Sequence, residues 1–210
     1  DLEKIEELVK TRGDEFAAAI DADFGRRSKS ETALAELGFT IATAKHSRQH
    51  LTKWASSKPV SVPMTLAPGK AYVRREPKGV VGIVSPWNYS MQLAFAPLVA
   101  ALAAGCRVMI KPSEFTPRTA ALIKSTLSEL FSEDHVAVIE GGVEEASAFT
   151  ALPFDHLFYT GSTQVGRIVA KAAAENLTPV TLELGGKSPN VFVEDVAAKD
   201  DAFYDKALEG

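Results

Sequence analysis

The spacing of apolar side chains predicts helices in the first part of the chain. Apolar residues recur at helical intervals at Leu2, Ile5, Leu8 and Val9. The pattern continues through 17–20 and stops at Gly25, and a second periodic stretch runs from about Ser30 to Trp54. Because Glu and Lys residues occupy the opposite faces, we expect surface helices that each bury one apolar stripe. Residues 1–57 are therefore predicted to be helical.

Proline residues set the next segment apart. It holds Pro59, Pro63, Pro68, Gly69 and Pro77. Between them lie two short β-prone pieces, 60–62 and 71–73. Proline cannot donate to a strand ladder, so these pieces suit an edge ribbon better than a central strand. We therefore expect a projecting β hairpin at 58–78, and projecting hairpins often make subunit contacts.

From Gly79 onward, short apolar runs alternate with helical patterns. Strands are predicted at Gly79–Val84, Arg107–Ile110, Val136–Ile139, Asp155–Tyr159, Val180–Leu184 and Asn190–Val193. Helices are predicted at about Met91–Ala104, from the start signal Thr116-Pro117, and near Glu144–Ala151 and Gln164–Glu175. Strands that are apolar throughout and alternate with helices indicate an α/β fold. We expect a Rossmann-like parallel sheet with helices on both faces.

The stretch Gly79–Cys106 contains no charged residue, which raises the question of a membrane segment. Pro86, Asn88 and Pro97 interrupt it, and its longest apolar piece is shorter than the roughly 18 residues that a membrane span needs. We therefore predict a buried strand, loop and helix, and no membrane partner.

Composition narrows the functional classes further. The chain has 23 Lys+Arg against 27 Asp+Glu, a net charge of −4, and no basic block suited to a run of phosphates. Nucleic-acid binding is therefore not expected. A single cysteine cannot form an internal disulfide, and no basic start precedes an apolar leader. These features predict a cytoplasmic protein in a reducing compartment.

Polar clusters follow four of the predicted strands, at the ends where parallel sheets bind ligands. They are Ser85–Asn88, Lys111–Glu114, Gly161–Gly166 and Glu183–Pro189. In the first cluster, the amide of Asn88 is suited to donate to a developing oxyanion, or alternatively to cap the helix that follows. In the second, Lys111 and Glu114 suit a phosphate or a ribose, or alternatively form a surface ion pair.

The glycine turn and the last cluster each allow two interpretations. The turn Gly161–Gly166 opens a helix whose N–H groups suit a pyrophosphate. However, Thr163 stands where the dinucleotide fingerprint has its middle glycine, and such glycines also serve packing. Glu183 closes an apolar strand, which suits a general base with a pKa raised by burial. It also lies about 20 residues beyond the turn, at the spacing of a ribose-binding acid.

The other reactive side chains favour structural roles. Cys106 lies at the start of a predicted strand, at the opposite sheet end from the four clusters, so we expect an inert buried thiol. The four histidines lack metal-ligand spacing. No metal site is predicted.

Taken in order, four motifs resemble the aldehyde dehydrogenase superfamily over nearly the whole chain. They are Pro86-Trp87-Asn88, Lys111-Pro112-Ser113-Glu114, Phe158-Tyr159-Thr160-Gly161-Ser162 and Leu182-Glu183-Leu184-Gly185-Gly186-Lys187. The short helical lead-in resembles the class 3 branch, and within it the bacterial coniferyl aldehyde dehydrogenases. The resemblance implies NAD(P)-dependent oxidation of a small-molecule aldehyde by a homodimer. It also implies an oligomerisation ribbon at 58–78 and a dinucleotide-binding domain at 79–210, with 1–57 as its helical part.

The resemblance assigns roles to individual site residues. Asn88 matches the amide that holds the oxyanion, and Glu183 matches the general base, which leaves Glu114 as the ribose acid. The implied cofactor-binding positions are Pro86, Trp87, Lys111, Ser113, Glu114, Gly142, Gly161, Ser162, Gly166 and Leu184. A carboxylate at Glu114 repels a 2′-phosphate, so NAD is expected over NADP, although a flexible Lys111 admits both.

In that family the nucleophilic cysteine follows the glutamate, and no cysteine follows Glu183 in this sequence. The chain is therefore expected to be the cofactor-binding half of an enzyme, inactive as a dehydrogenase by itself. A non-catalytic nucleotide-binding module on the same fold is the alternative. Acyl transfer to coenzyme A is disfavoured, because Glu183 supplies a base for water.

Overall fold

The structure, a computed structural model, describes residues 1–189. Its first part is helical, as the apolar spacing predicts. The helices are α1 (Leu2–Thr11), α2 (Gly13–Phe24), α3 (Lys29–Glu31) and α4 (Phe39–Ala55), with a π-helix at Thr32–Gly38 between the last two. Gly25 ends α2 in the left-handed region at a φ of 75°, which glycine adopts readily because it has no Cβ.

The π-helix interrupts a helix that the sequence predicts as continuous from Ser30 to Trp54. Its wider turn holds one more residue than an α-helical turn and shifts the faces on either side of it. Glu36 is fully buried, with 0% of its surface exposed, whereas Leu34 is 78% exposed. A carboxylate thus points into the protein and a leucine points out, which the apolar spacing does not predict.

The proline-rich segment forms a two-stranded antiparallel ribbon. Strand β1 (Lys58–Val60) pairs with β2 (Ala71–Val73), and Pro59 lies opposite Tyr72. Both strands are largely exposed, in agreement with the hairpin expected at 58–78. Its role in subunit contacts stays a prediction.

Five parallel strands form the central sheet. They are β3 (Val80–Val84), β4 (Arg107–Lys111), β5 (Val136–Val138), β6 (His156–Gly161) and β7 (Val180–Leu184), in the spatial order β5-β4-β3-β6-β7. The helices after β3, β4, β5 and β6 are α5 (Gln92–Ala103), α6 (Pro117–Leu130), α7 (Val143–Thr150) and α8 (Thr163–Glu175). The predicted α/β fold with a parallel sheet is confirmed, and the element ends differ by one or two residues. The predicted strand Asn190–Val193 lies outside the described residues.

Alternation along the strands divides the buried residues between two cores. The first core, on what we call the α5 face, includes Val81, Ile83, Val108, Ile110, Val136 and Val138, with α5, α6 and the N-terminal helices. The second core, on the α8 face, includes Leu157 and Tyr159 with Phe149 of α7 and Val169 of α8. Helices therefore lie on both faces of the sheet, as predicted.

The charge-free stretch Gly79–Cys106 contributes the centre of the α5-face core. Its strand β3 and helix α5 hold buried residues such as Ile83, Phe95 and Leu98. The expected buried strand, loop and helix are confirmed. Within residues 1–189, no helix has the length and apolar character required to cross a membrane.

Helix α6 begins at Pro117 with Thr116 at the N-cap position, as its start signal predicts. Thr116 makes no side-chain capping bond. Instead, the carboxylate of Asp23 accepts the N–H groups of Arg118 at 3.1 Å and of Thr119 at 2.8 Å. The end of α2 thus satisfies the first N–H groups of α6.

Candidate active site

The carboxyl ends of the strands border a cavity of about 370 Å³. The strand order reverses here, because β4 lies on one side of β3 and β6 on the other, and ligands bind outside a parallel sheet at such a reversal. Loops after β3, β4 and β6 and parts of α7 and α8 form the wall. The predicted site residues in this wall are Pro86, Trp87, Lys111, Ser113, Glu114, Gly161 and Ser162.

Lys111 ends β4 and places a buried cation at the cavity. Only 1% of the residue is exposed. Its Nζ donates to the carbonyl oxygen of Pro112 at 2.8 Å and lies 3.9 Å from Oε2 of Glu114. Burial lowers the pKa of Lys111, while the charges of Glu114 and Glu145 oppose that shift. An ammonium has three donors, so Lys111 keeps donors for the hydroxyl groups of a ligand.

The rest of this turn holds Glu114 beside the cation. The Oγ of Ser113 accepts the N–H of Phe115 at 3.3 Å, which fixes the turn, and Ser113 itself is buried. The side chain of Glu114 is partly exposed. The interpretation of Lys111 and Glu114 as a surface ion pair is therefore wrong for Lys111.

Ser162 caps α8 at the edge of the cavity. Its Oγ accepts the N–H of Val165 at 3.3 Å, and the hydroxyl of Tyr159 donates to its carbonyl oxygen at 3.4 Å. Burial raises the pKa of Tyr159, so this hydroxyl keeps its proton. The other N–H groups of the first turn of α8 lie at the positive end of the helix, where an anion is stabilised.

Three predicted cofactor positions lie outside the cavity wall. A Cβ at Gly166 would lie 2.7 Å from Cδ2 of Leu184, so these two residues pack α8 onto β7. The N–H of Gly142 donates to Oε2 of Glu145 at 2.7 Å and is thereby occupied. At all three positions the structure shows packing or capping, and cofactor contact stays a prediction.

Asn88 and Glu183 both lie at the carboxyl edge of the sheet. Leu182 and Leu184 pack on the α8 face, so alternation along β7 directs Glu183 to the α5 face. Asn88 lies in the loop that leads from β3 into α5. Only β6 separates β3 from β7, so the two strand ends lie roughly 10 Å apart at a strand spacing of about 4.8 Å. Both side chains are exposed, and neither lines the cavity.

The structure corrects two expectations for these residues. Among the described residues 1–189, the side chain of Glu183 is exposed, whereas its interpretation as a general base expected it to be buried. Asn88 does not cap α5: the N-cap is Met91, and the carboxylate of Glu36 accepts the N–H groups of Met91 and Gln92. With capping removed, the oxyanion interpretation of Asn88 remains. Glu114 lies in the cavity wall and Glu183 does not, which favours Glu114 as the ribose acid.

Sequence reasoning misses the apolar part of the wall. It contains Phe115, Val143, Val165 and Ile168, all of them large exposed apolar residues. Exposed apolar side chains around a cavity suit a flat ring. The available signal was the spacing of Val165 and Ile168, which lie three residues apart on one side of α8.

Cys106 lies far from this site. It is 3% exposed and directly precedes β4, at the amino ends of the strands. The expectation of a buried thiol at the opposite end of the sheet is confirmed.

A buried ammonium, a helix N-terminus and an apolar wall converge on one cavity at the carboxyl edge of a parallel sheet, which defines a nucleotide-binding fold. Comparison with known families matches residues 2–209 to the "Aldehyde dehydrogenase family". The chain belongs to the aldehyde dehydrogenase family.

Individual relatives agree with this assignment. Over 178 residues the chain is 52% identical to the "Probable coniferyl aldehyde dehydrogenase" of Caulobacter vibrioides, covering 83% of this chain and 37% of that protein. A substrate-bound structure of Staphylococcus aureus AldH superimposes with a TM-score of 0.86 at 45% identity, covering 90% of this chain and 41% of the other. A Mycobacterium tuberculosis aldehyde dehydrogenase complexed with NAD+ gives 0.79 at 32% identity, covering 89% and 38%. The chain thus spans about two fifths of the length of the curated relatives it matches.

Proposed function

We propose that this chain is the cofactor-binding part of a longer enzyme that oxidises an aldehyde to the carboxylic acid with NAD. The proposal is supported by the position of Asn88 and Glu183 at the carboxyl edge of the sheet, the edge that also borders the cavity. An N–H donor and a carboxylate base next to a dinucleotide site are the groups that this oxidation uses.

The cavity residues fit a nicotinamide dinucleotide. Lys111 and Glu114 offer a donor and an acceptor 3.9 Å apart, which suits the paired hydroxyls of a ribose. Ser162 and the start of α8 suit the pyrophosphate, and the apolar wall that includes Phe115 and Ile168 suits the adenine ring. The bound cofactor would supply the hydride acceptor.

Asn88 acts on the aldehyde oxygen in this proposal. When a thiolate adds to the carbonyl carbon, negative charge develops on that oxygen, and a positioned amide N–H stabilises it. The nucleophilic thiol lies outside residues 1–189, because Cys106 is buried at the opposite sheet end. Glu183 takes a proton from that thiol or from the water that hydrolyses the thioester.

The proposals for the cofactor and for the substrate rest on different observations. A carboxylate at Glu114 repels the 2′-phosphate of NADP, so we propose NAD as the preferred cofactor. The proposed substrate class is an aromatic aldehyde such as coniferyl aldehyde, on the basis of the Caulobacter relative. We further propose a cytoplasmic homodimer that uses the ribbon 58–78.

The test is Asn88→Ala and Glu183→Gln in the full-length enzyme, with NADH formation and acid release measured separately. Asn88→Ala should lower kcat by about 10²- to 10³-fold with NAD affinity nearly unchanged. Glu183→Gln should suppress acid release. Wild-type protein that binds NAD but forms no NADH with any aldehyde would favour the non-catalytic module, and NADH formation that requires coenzyme A would favour acyl transfer.

A further inference from the structure

The loop that carries Asn88 is fixed by a segment far away in the sequence. We call residues 85–91, which join β3 to α5, the Asn88 loop, and residues 24–36, which run from the end of α2 into the π-helix, the support segment. Contacts between the two involve a buried carboxylate, a guanidinium and three aromatic rings.

Glu36 provides the first contact. Its Oε2 accepts the N–H of Met91 at 2.9 Å and the N–H of Gln92 at 3.3 Å. Helix α5 has no side-chain cap of its own, so Glu36 supplies the acceptor that its first N–H groups need. A carboxylate is also stabilised at the positive end of the helix. The direction in which α5 and the Asn88 loop leave β3 is thereby tied to Glu36.

The π-helix explains how this carboxylate reaches α5. Glu36 lies inside the π-helical turn Thr32–Gly38 and is fully buried. Two residues before it, Leu34 is exposed, so the turn presents a polar side chain to the core and an apolar one to solvent. Such turns are frequent at functional sites.

Arg27 provides the second contact. Its guanidinium lies over the ring of Tyr89 at 4.6 Å and over the ring of Phe24 at 4.8 Å. Its Nη2 lies 3.3 Å from Oε1 of Glu31 and 3.8 Å from Oε1 of Glu36. The cation therefore joins both acids of the support segment to a residue adjacent to Asn88.

The residues on either side of Asn88 are both held. The hydroxyl of Tyr89 donates to Oε1 of Glu31 at 3.0 Å, and the ring of Trp87 packs against Phe24 with centroids 6.1 Å apart. Asn88 itself stays exposed between them. The support segment thus fixes the backbone around an amide that remains free to bind.

Burying the carboxylate of Glu36 has an electrostatic cost. Burial raises the pKa of Glu36, although the N–H groups of Met91 and Gln92 and the charge of Arg27 oppose the shift. The fold therefore disfavours the ionised carboxylate relative to its protonated form, and a buried charge is weak evidence of stabilisation. Departures from the most stable arrangement are expected at functional sites.

We infer that Glu36 and Arg27 are positioning residues for aldehyde oxidation, which hold the Asn88 loop so that the amide points at the developing oxyanion. This inference rests on the proposed function of Asn88. It predicts a larger loss of turnover than of cofactor binding, because Lys111, Glu114 and Ser162 lie on other loops, whereas the Asn88 loop contributes only Ser85, Pro86 and Trp87 to the cavity wall.

The first experiment is Glu36→Gln in the full-length enzyme, with Glu6→Gln as a matched control. Glu6 is also a buried acid, paired with Lys10 at 2.6 Å and Arg48 at 3.4 Å on helices remote from the cavity. Glu36→Gln should lower kcat about tenfold, because small displacements of a positioned group reduce rates strongly, and should change the KM for NAD by a smaller factor, because most of the cavity wall lies on other loops. Glu6→Gln should leave kcat nearly unchanged. An unchanged kcat in Glu36→Gln, or an equal fall in Glu6→Gln, would overturn the inference.

A double-mutant cycle then tests whether the effect passes through the amide. In the Asn88→Ala background, Glu36→Gln should change kcat by less than about twofold, because residues that act through one group are not additive. A full tenfold effect in that background would overturn the inference. If Asn88→Ala alone leaves kcat unchanged, the proposed function fails instead.

Tyr89→Phe serves if Glu36→Gln does not fold. It keeps the ring over Arg27 and removes only the hydroxyl that donates to Glu31. Turnover should fall about threefold, which is the low end of the net contribution of one hydrogen bond. The KM for NAD should change by a smaller factor, and the substitution should have no further effect in the Asn88→Ala background. A wild-type kcat in Tyr89→Phe would overturn the inference.

Discussion

The two ends of the central sheet differ in how completely their polar side chains are paired. At the carboxyl edge, Lys111, Glu114 and Ser162 line an open cavity, and the polar groups keep unused donors and acceptors. At the amino edge, a hollow of about 650 Å³ is lined mainly by apolar residues and includes Cys106. Two of its polar residues are paired with each other: Lys78 Nζ lies 3.1 Å from Nδ1 of His156, whose Nε2 lies 2.9 Å from Oγ1 of Thr181 on the neighbouring strand.

This difference indicates that the carboxyl edge serves ligand binding, whereas the amino edge serves the stability of the fold. The carboxyl edge holds incompletely paired groups at loop positions, as a ligand site requires. At the amino edge, His156 is paired on both ring nitrogens with protein groups, as in a structural region. Substitutions at the first edge should therefore change cofactor binding, whereas substitutions at the second should change unfolding.

Lys111→Met gives the largest expected effect on cofactor binding. Methionine has a similar length and removes the buried ammonium without leaving a buried charge. Affinity for NAD should fall by about 10- to 100-fold, because a hydrogen bond from a charged donor contributes roughly 1.5–3 kcal/mol. Equilibrium titration of NAD into the full-length enzyme measures it. Lys124→Met is the control, since Lys124 pairs with Glu140 away from the cavity. Wild-type affinity in Lys111→Met would contradict the assignment.

Glu114→Gln should change the choice between cofactors more than the affinity for NAD. The amide still accepts a hydrogen bond but no longer repels a 2′-phosphate. At an effective dielectric of about 20, two charges some 7 Å apart interact by about 2 kcal/mol, or roughly 30-fold. Because solvent screens the partly exposed Glu114, we expect the NADP/NAD ratio of kcat/KM to rise by about tenfold or less. Steady-state kinetics with NAD and with NADP measure this ratio in both proteins. An unchanged ratio would remove Glu114 from the ribose site.

His156, at the amino edge, should make the stability of the protein depend on pH. Burial and the charge of Lys78 lower the pKa of His156 below 6.5. The folded state therefore disfavours the protonated ring, so His156 contributes stability that is complete above pH 6.5 and is lost as the pH falls through the lowered pKa of the folded state. Melting temperatures between pH 7.5 and pH 5 should fall less in His156→Gln than in the wild type. NAD affinity at pH 7.5 should be the same in both proteins.

The pattern of apolar residues and the helix start signals were sufficient to predict the order and type of the secondary-structure elements. The apolar runs and the signal Thr116-Pro117 place the strands and helices to within two residues, because a parallel sheet buries its strands on both sides. Strand ends were also sufficient to locate most of the cavity wall, since parallel strands bring their carboxyl ends to one edge.

Long-range polar contacts could not be predicted in the same way. The cap of α5 comes from Glu36 and the cap of α6 from Asp23, which lie 55 and 95 residues away from the N–H groups they accept. Local spacing carries no information about such pairs. The π-helix was missed for a similar reason, because periodicity describes only a regular turn. The exposure of Glu183 depends on what covers the end of β7, which the local sequence does not specify.

Cys106→Ala is expected to have the smallest effect, and this effect should be on stability alone. The thiol is 3% exposed in the α5-face core, and its removal leaves a small cavity there. The free energy of unfolding should fall by about 1 kcal/mol, at the low end of large-to-small core substitutions, which thermal or denaturant unfolding measures. Turnover and NAD affinity of the full-length enzyme should stay at wild-type values, because the thiol lies at the opposite end of the sheet from Asn88 and Glu183. A loss of turnover with intact stability would mean that the lone thiol reaches the reacting carbonyl, and the separation of the two edges into binding and stability would then be wrong.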